Sequence, residues 1–112
     1  MDAFQALADP TRREIVALLA KGERTASEIF AQFEIADPTV SRHLKVLRES
    51  GLIAYRQEAQ SRIYRLEVDA LDETRQWMQA QIDACRSRFD RLGAHLDRMK
   101  KTEARRGKRR TT

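Results

Sequence analysis

Between Met78 and Met99 the apolar residues fall at Met78, Ile82, Cys85, Phe89, Leu92, Leu96 and Met99, in steps of 4, 3, 4, 3, 4 and 3. An unbroken seven-residue repeat places all of them on one stripe of one helix, the pattern of a coiled coil. A helix from about Asp69 to Met99 would be about 46 Å long at ~1.5 Å per residue. A chain of 112 residues has too little other sequence to cover such a stripe. Part of the seam therefore needs a second chain, and a homodimer is the economical expectation. Phe4, Leu7 and Trp77 are expected beside Met78, Ile82, Cys85, Phe89, Leu92 and Leu96 at that interface. Gly93 weakens the helix by about 1 kcal/mol relative to Ala, and nothing in the sequence explains it.

Upstream of the seam, helix starts recur. Asp9-Pro10-Thr11 offers an N-cap acceptor followed by a proline whose missing N–H costs nothing in the first turn. Ile15, Leu18 and Leu19 follow at helical spacing, and Gly22 is a stop. Thr25 and Glu28 fit a capping box, ahead of Ile29, Phe30 and Phe33. Asp37-Pro38-Thr39 repeats the first start, with Asp37 expected as the cap. Val40, Leu44 and Leu47 then run along one side, and Gly51 ends the helix. A short helix with Phe4 and Leu7 precedes Asp9. The long helix is expected to open at Asp69, with Asp72 and Glu73 in the first turn, where carboxylates are favoured.

The pattern changes between Gly51 and Asp69. Residues 53–57 and 62–66 hold most of the β-formers, separated by Glu58-Ala59-Gln60-Ser61, which suits a hairpin with a four-residue loop. Two short helices, Thr25–Phe33 and Pro38–Ser50, followed by a β-ribbon, make a helix-turn-helix with a wing. The expected fold is mainly α with a β-hairpin wing, a homodimer through the long C-terminal helix. At 100° per residue, Val40, Leu44 and Leu47 face the core. Pro38, Arg42, Lys45 and Glu49 lie opposite, flanked by Thr39 and Ser41. Small hydroxyls allow close approach to a DNA major groove, and Arg42 can bond a guanine edge through two N–H groups. Lys45 suits a phosphate. His43 falls beside the apolar arc and reads first as a packing residue or phosphate contact. Arg56 and Arg62 add charge on the ribbon, with Gln60 and Ser61 at its tip.

Charge distribution sharpens this reading. The net charge of +5 would by itself suggest an anionic partner. It is unevenly spread: residues 100–112 carry +6, and the chain before residue 100 carries −1. Within that chain, residues 37–66 carry +3 between two segments of −2 each. The +3 block covers the proposed DNA-facing surface. Residues 100–112 read as a basic, disordered tail after a domain spanning residues 1–99.

The run ADPTVSRHLKVLRESGLI resembles the recognition-helix signature of ArsR-type bacterial winged-helix repressors. FQALADPTRREIVALL is similar to that family's first two helices, and the likeness extends through the wing to about residue 70. The resemblance implies a homodimeric repressor of a palindromic operator, with DNA contacts at Ser41, Arg42 and their neighbours. The family's metal sites use a Cys-x-Cys pair in the helix before the recognition helix, or Asp and His ligands on the last helix. Here the first segment is TASEIFAQF, and the last helix offers His95 alone. The chain therefore resembles the metal-independent branch, with no cofactor or metal expected.

Other classes fare worse. A glycine-rich phosphate loop, a paired Cys/His ligand set and a nucleophile–base pair are all missing, so an enzyme is not expected. Cys85 has no second cysteine, which excludes a disulfide framework within the chain, and it reads as a small seam residue. No apolar run approaches the ~20 residues that span a bilayer, and no secretory signal is recognisable. A cytoplasmic protein is expected. The alternative is a protein-interaction module that docks a partner through the winged helix and the heptad helix.

Overall fold

A computed structural model describes residues 1–110, with side chains through residue 102. The element order is α1 (Ala3–Leu7), α2 (Pro10–Ala20), β1 (Arg24–Thr25), α3 (Ala26–Ala31), α4 (Asp37–Glu49), β2 (Ile53–Glu58), β3 (Ser61–Leu66) and α5 (Val68–Arg110). Contacts divide the chain into a unit from Met1 to Arg75 and a second beginning at Gln76.

The caps show how the local sequence sets these boundaries. Asp2 and Gln5 form a reciprocal capping box on α1, with Gln5 N–H donating to Asp2 Oδ1 at 2.8 Å and Asp2 N–H to Gln5 Oε1 at 2.9 Å. Asp9 caps α2 by accepting from Thr11 N–H at 2.9 Å and Arg12 N–H at 3.1 Å. These backbone donors hold its carboxyl below the usual range, against a smaller opposing effect of burial. Thr25 and Glu28 close the expected box on α3.

Asp37 departs from expectation. The helix begins at Asp37 itself, the cap is Ala36, and no side-chain cap bond forms. The Ala36 carbonyl takes the N–H groups of Thr39 and Val40 instead. Asp37 keeps only the favourable position of a carboxylate in a first turn. Likewise α5 opens at Val68, one residue before Asp69, and the Glu67 carbonyl accepts from Leu71 N–H.

The core of the first unit is built from Ala6, Ile15, Val16, Leu19, Ile29, Val40, Leu44, Leu47, Leu52, Ile53 and Tyr64. On α2 the buried partners of Ile15 and Leu19 include Val16, while Leu18 is only partly covered. Ala70 and Leu71, in the first turns of α5, pack against this core.

The sheet holds three antiparallel strands in the order β1-β3-β2. β1 has no sequence signal of its own; it pairs Arg24 with Tyr64 and Thr25 with Ile63. The hairpin pairs Glu58 with Ser61, so its turn is two residues, Ala59 and Gln60, rather than four. The tight turn sets Ala59 at φ +53°, a left-handed conformation that an alanine adopts at a cost.

In the second unit α5 carries the heptad positions along an uninterrupted helix. The helical backbone continues through residues 100–110, over most of the stretch read from sequence as a disordered tail. Lys, Arg, Glu and Ala are strong helix formers, which favours that continuation. Thr111 and Thr112 lie outside the described residues. None of the described helices is long and apolar enough to cross a membrane.

Candidate nucleic-acid interface

The outward face of α4 exists because its inward face is fully used. Val40, Leu44 and Leu47 are buried, which forces Thr39, Ser41, Arg42 and Lys45 to the surface, where all four are exposed. Pro38 is exposed in the first turn. Arg42 makes no hydrogen bond or ion pair among the described residues. Lys45 Nζ lies 4.0 Å from Glu49 Oε1, an exposed pairing too long and too solvated to hold the ammonium. The N-terminal half of the face thus offers two hydroxyls, one available guanidinium and one available ammonium.

His43 is half-buried and turned toward α2, where Arg12 Nη1 approaches its Nδ1 at 3.4 Å. Arg12 also donates to the carbonyls of Ala6 at 2.6 Å and Gln5 at 3.2 Å. Arg13 donates to those of Leu7 and Ala8. Both arginines are therefore spent on the end of α1. His43 belongs to this packing more than to the exposed face.

α4 ends in a Schellman arrangement. Gly51, at φ +83°, donates to the Arg48 carbonyl, and Leu52 N–H donates to the Leu47 carbonyl. This turn delivers the chain directly into β2, so the wing starts at a fixed angle to α4.

On the wing the cations behave differently from one another. Arg56 is bound to two carboxylates, Glu23 at 2.7 Å and Glu58 at 3.0 Å. That trio is net negative, so Arg56 does not present the isolated positive charge that the sequence reading gives it. Glu23 lies far away in sequence and gave no local warning. Arg62 is exposed, with its Cζ 4.6 Å from the centroid of the Tyr55 ring. Gln60 and Ser61 are exposed at the tip. Beside them a cleft of about 380 Å³ is lined by Thr25, Ala26, Ser27, Gln57, Gln60, Ser61 and Arg62. The sequence marks Thr25 only as a helix cap and does not point to Ser27 or Gln57 as site residues, because only the β1–β3 pairing brings the start of α3 beside the wing.

The expected interface residues divide between the two units. Leu7 is partly buried against the core, and Phe4 is exposed. On α5, Trp77, Met78, Ile82, Cys85, Phe89, Leu92, Leu96 and Met99 are all exposed in the single chain.

A helix buried on one side, with a hydroxyl- and cation-bearing outer face and a tight turn into a β-ribbon, is the arrangement of a winged helix-turn-helix DNA-binding regulator. Comparison with known proteins identifies the kind. Residues 9–55 match the family model described as bacterial regulatory protein, arsR family. The chain is 36% identical over 77 residues to the transcriptional repressor SdpR of Bacillus subtilis, covering 69% of this chain and 86% of that protein. It is 42% identical over 66 residues to the biofilm growth-associated repressor of Agrobacterium fabrum, covering 59% and 56% of the two chains. A crystal structure of an ArsR family transcriptional regulator superposes with a TM-score of 0.66 at 34% identity, covering 71% of this chain and 82% of the other. The repressor BigR of Xylella fastidiosa superposes at 0.56 with 33% identity, covering 69% and 80%. The chain belongs to the ArsR family, and its relatives are transcriptional regulators, not enzymes.

Proposed function

We propose that the chain is a homodimeric repressor that reads a palindromic operator through α4 and the wing, without a metal-sensing site. The observation that carries this reading is the exposed, unpaired Arg42 between Thr39, Ser41 and Lys45 on a helix whose other side is buried. Arg42 and Ser41 read base edges, while Thr39, Lys45 and the start of the helix at Pro38 approach the backbone. Gln60, Ser61 and Arg62 reach the flanking groove, and His43 and Arg56 play supporting parts. Repression is favoured because relatives bear that name, SdpR among them.

The homodimer is supported by the exposed heptad stripe, where residues such as Phe89 remain 66% exposed among the described residues. Two copies joined there would set two recognition helices against successive major grooves, about 34 Å apart. The metal-independent reading rests on the donor set. The segment 25–33 has neither Cys nor His, and among the described residues no group of three or more His, Cys, Asp or Glu is placed to hold a metal ion.

Selection of duplexes from a random pool tests the reading, followed by titration of the selected duplex with Arg42→Ala and Lys45→Ala. Arg42→Ala should relax preference at one position in each half-site and cost about 1–3 kcal/mol. Lys45→Ala should weaken all duplexes alike and lower the salt slope by about one. A selected sequence without two-fold symmetry, or unchanged preference in Arg42→Ala, refutes it.

A further inference from the structure

The end of α4 and the two strands of the wing meet at one aromatic ring. Arg48, in the last turn of α4, has its Cζ 5.2 Å from the Tyr55 centroid, and Arg62 has its own at 4.6 Å. Tyr55 is itself fixed. It pairs with Tyr64 across the β2–β3 ladder, with centroids 5.5 Å apart and rings tilted by 49°, and Tyr64 is part of the core. Arg62 faces Gln57 in the same register, which places it diagonally from Tyr55 on one face of the hairpin.

These two arginines differ from their neighbours. Arg56, Arg65 and Arg75 each sit against a carboxylate. Arg48 and Arg62 have no such partner among the described residues. A guanidinium stacked on a ring uses its face and leaves N–H groups for an oxyanion. Part of the Arg62 edge turns to the Tyr64 hydroxyl, which raises its pKa, and its other N–H groups have no carboxylate partner among the described residues. Two like charges would otherwise repel; the negative face of the ring draws both in. The cleft that Arg62 borders is lined by hydroxyl and amide groups of Ser27, Gln57, Gln60 and Ser61, and no carboxylate lines it. That chemistry suits a phosphodiester oxygen.

We infer that Arg48 is a further contact to the DNA backbone, and that Tyr55 is a positioning residue holding Arg48 and Arg62 as a pair against phosphates on the wing side. This rests on the DNA-binding reading above. The contact is independent of base sequence, so it acts on affinity and salt dependence and leaves operator preference alone.

A cycle of variants in the full-length protein tests it, titrated with both the selected duplex and a random-sequence duplex over a range of salt. Arg48→Ala lowers affinity for both duplexes several-fold and reduces the salt slope by about one. Tyr55→Leu lowers affinity for both duplexes several-fold, and Tyr55→Phe, which keeps the ring, restores it. In an Arg48→Ala/Arg62→Ala background, Tyr55→Leu has no further effect, whereas a merely structural role would still weaken binding there. Thermal unfolding of each variant confirms that the fold is retained. The inference is overturned if Arg48→Ala leaves affinity and slope unchanged, or if Tyr55→Leu costs the same factor with both arginines gone. A wild-type chain that binds neither duplex overturns the DNA-binding reading first, and this inference with it.

Discussion

The dipeptide Asp-Pro opens two helices of this chain, yet only one of its aspartates caps. That contrast gives a sharp prediction. Asp9 accepts two backbone N–H groups, at 2.9 and 3.1 Å, that α2 leaves without partners. Truncation to Ala removes both bonds, and the cost is about 1–2 kcal/mol. For a domain of this size that is a fall in Tm of several degrees, at about 4–8 °C per kcal/mol. Asp37 makes no cap bond and contributes only through its charge at the helix N-terminus. Asp37→Ala should cost about 0.3–0.5 kcal/mol, and salt should screen most of it. Asp9→Asn should recover most of the Asp9→Ala loss, because Asn caps as well as Asp. Urea unfolding at one fixed protein concentration measures all four chains, since a dimer of the proposed kind would make midpoints concentration-dependent. The pH dependence adds a second check. The Asp9 carboxyl is held below 3.8 in the folded chain, so its charged form stabilises fully above that value. The advantage of wild type over Asp9→Ala is therefore level near neutrality and shrinks as pH falls from 3.8 through the folded value. Equal losses for Asp9→Ala and Asp37→Ala, both insensitive to salt, would refute the reasoning.

Three further outcomes follow from the same structure. Ala59→Gly relieves the left-handed φ at the hairpin turn and should leave the fold unchanged to about 1 kcal/mol more stable, the relief exceeding the entropy of the added glycine; a clear loss in urea unfolding would show the turn unstrained. Ile82→Glu with Phe89→Glu places charges on the proposed seam; if the wild type sediments as the proposed dimer, the double variant should sediment as a monomer with its helical circular dichroism largely kept. Deleting residues 101–112 should lower the salt slope and random-duplex affinity while operator preference survives; loss of preference would mean that the +3 block of residues 37–66 had been credited with too much.

What could be read from sequence divides by range. Local signals, periodicity above all, located the five helices among the described residues, both long strands and the inward side of α4. Glycines at 22 and 51 announced their left-handed stops because few other residues tolerate them. The failures were of two kinds. Asp37 carries the same letters as Asp9, but the Ala36 carbonyl was in place to open α4 one residue earlier. The others depend on distant pairing. β1 becomes a strand only because β3 offers an edge. Arg56 is neutralised by Glu23 from before the first helix of the helix-turn-helix. Arg48 carries no sequence signal of its own, because only the β2 strand brings Tyr55 beneath it. The outward face of α4 was legible because its period fixes it; the electrostatics of the wing were not, because the sheet register sets them.

Leu52 has a mechanical consequence. Its N–H is tied to Leu47 in α4, its carbonyl accepts from Glu67 at 2.8 Å just past β3, and its side chain is fully enclosed. One residue thus ties the end of α4 to both chain ends of the ribbon, which restrains each against the other. On the proposed binding mode a duplex would then meet helix and ribbon together, at the spacing they already have. If α4 and the ribbon both contact DNA as proposed, sites whose local twist or bend displaces one groove from the other should bind more weakly, even where every contacted base is correct.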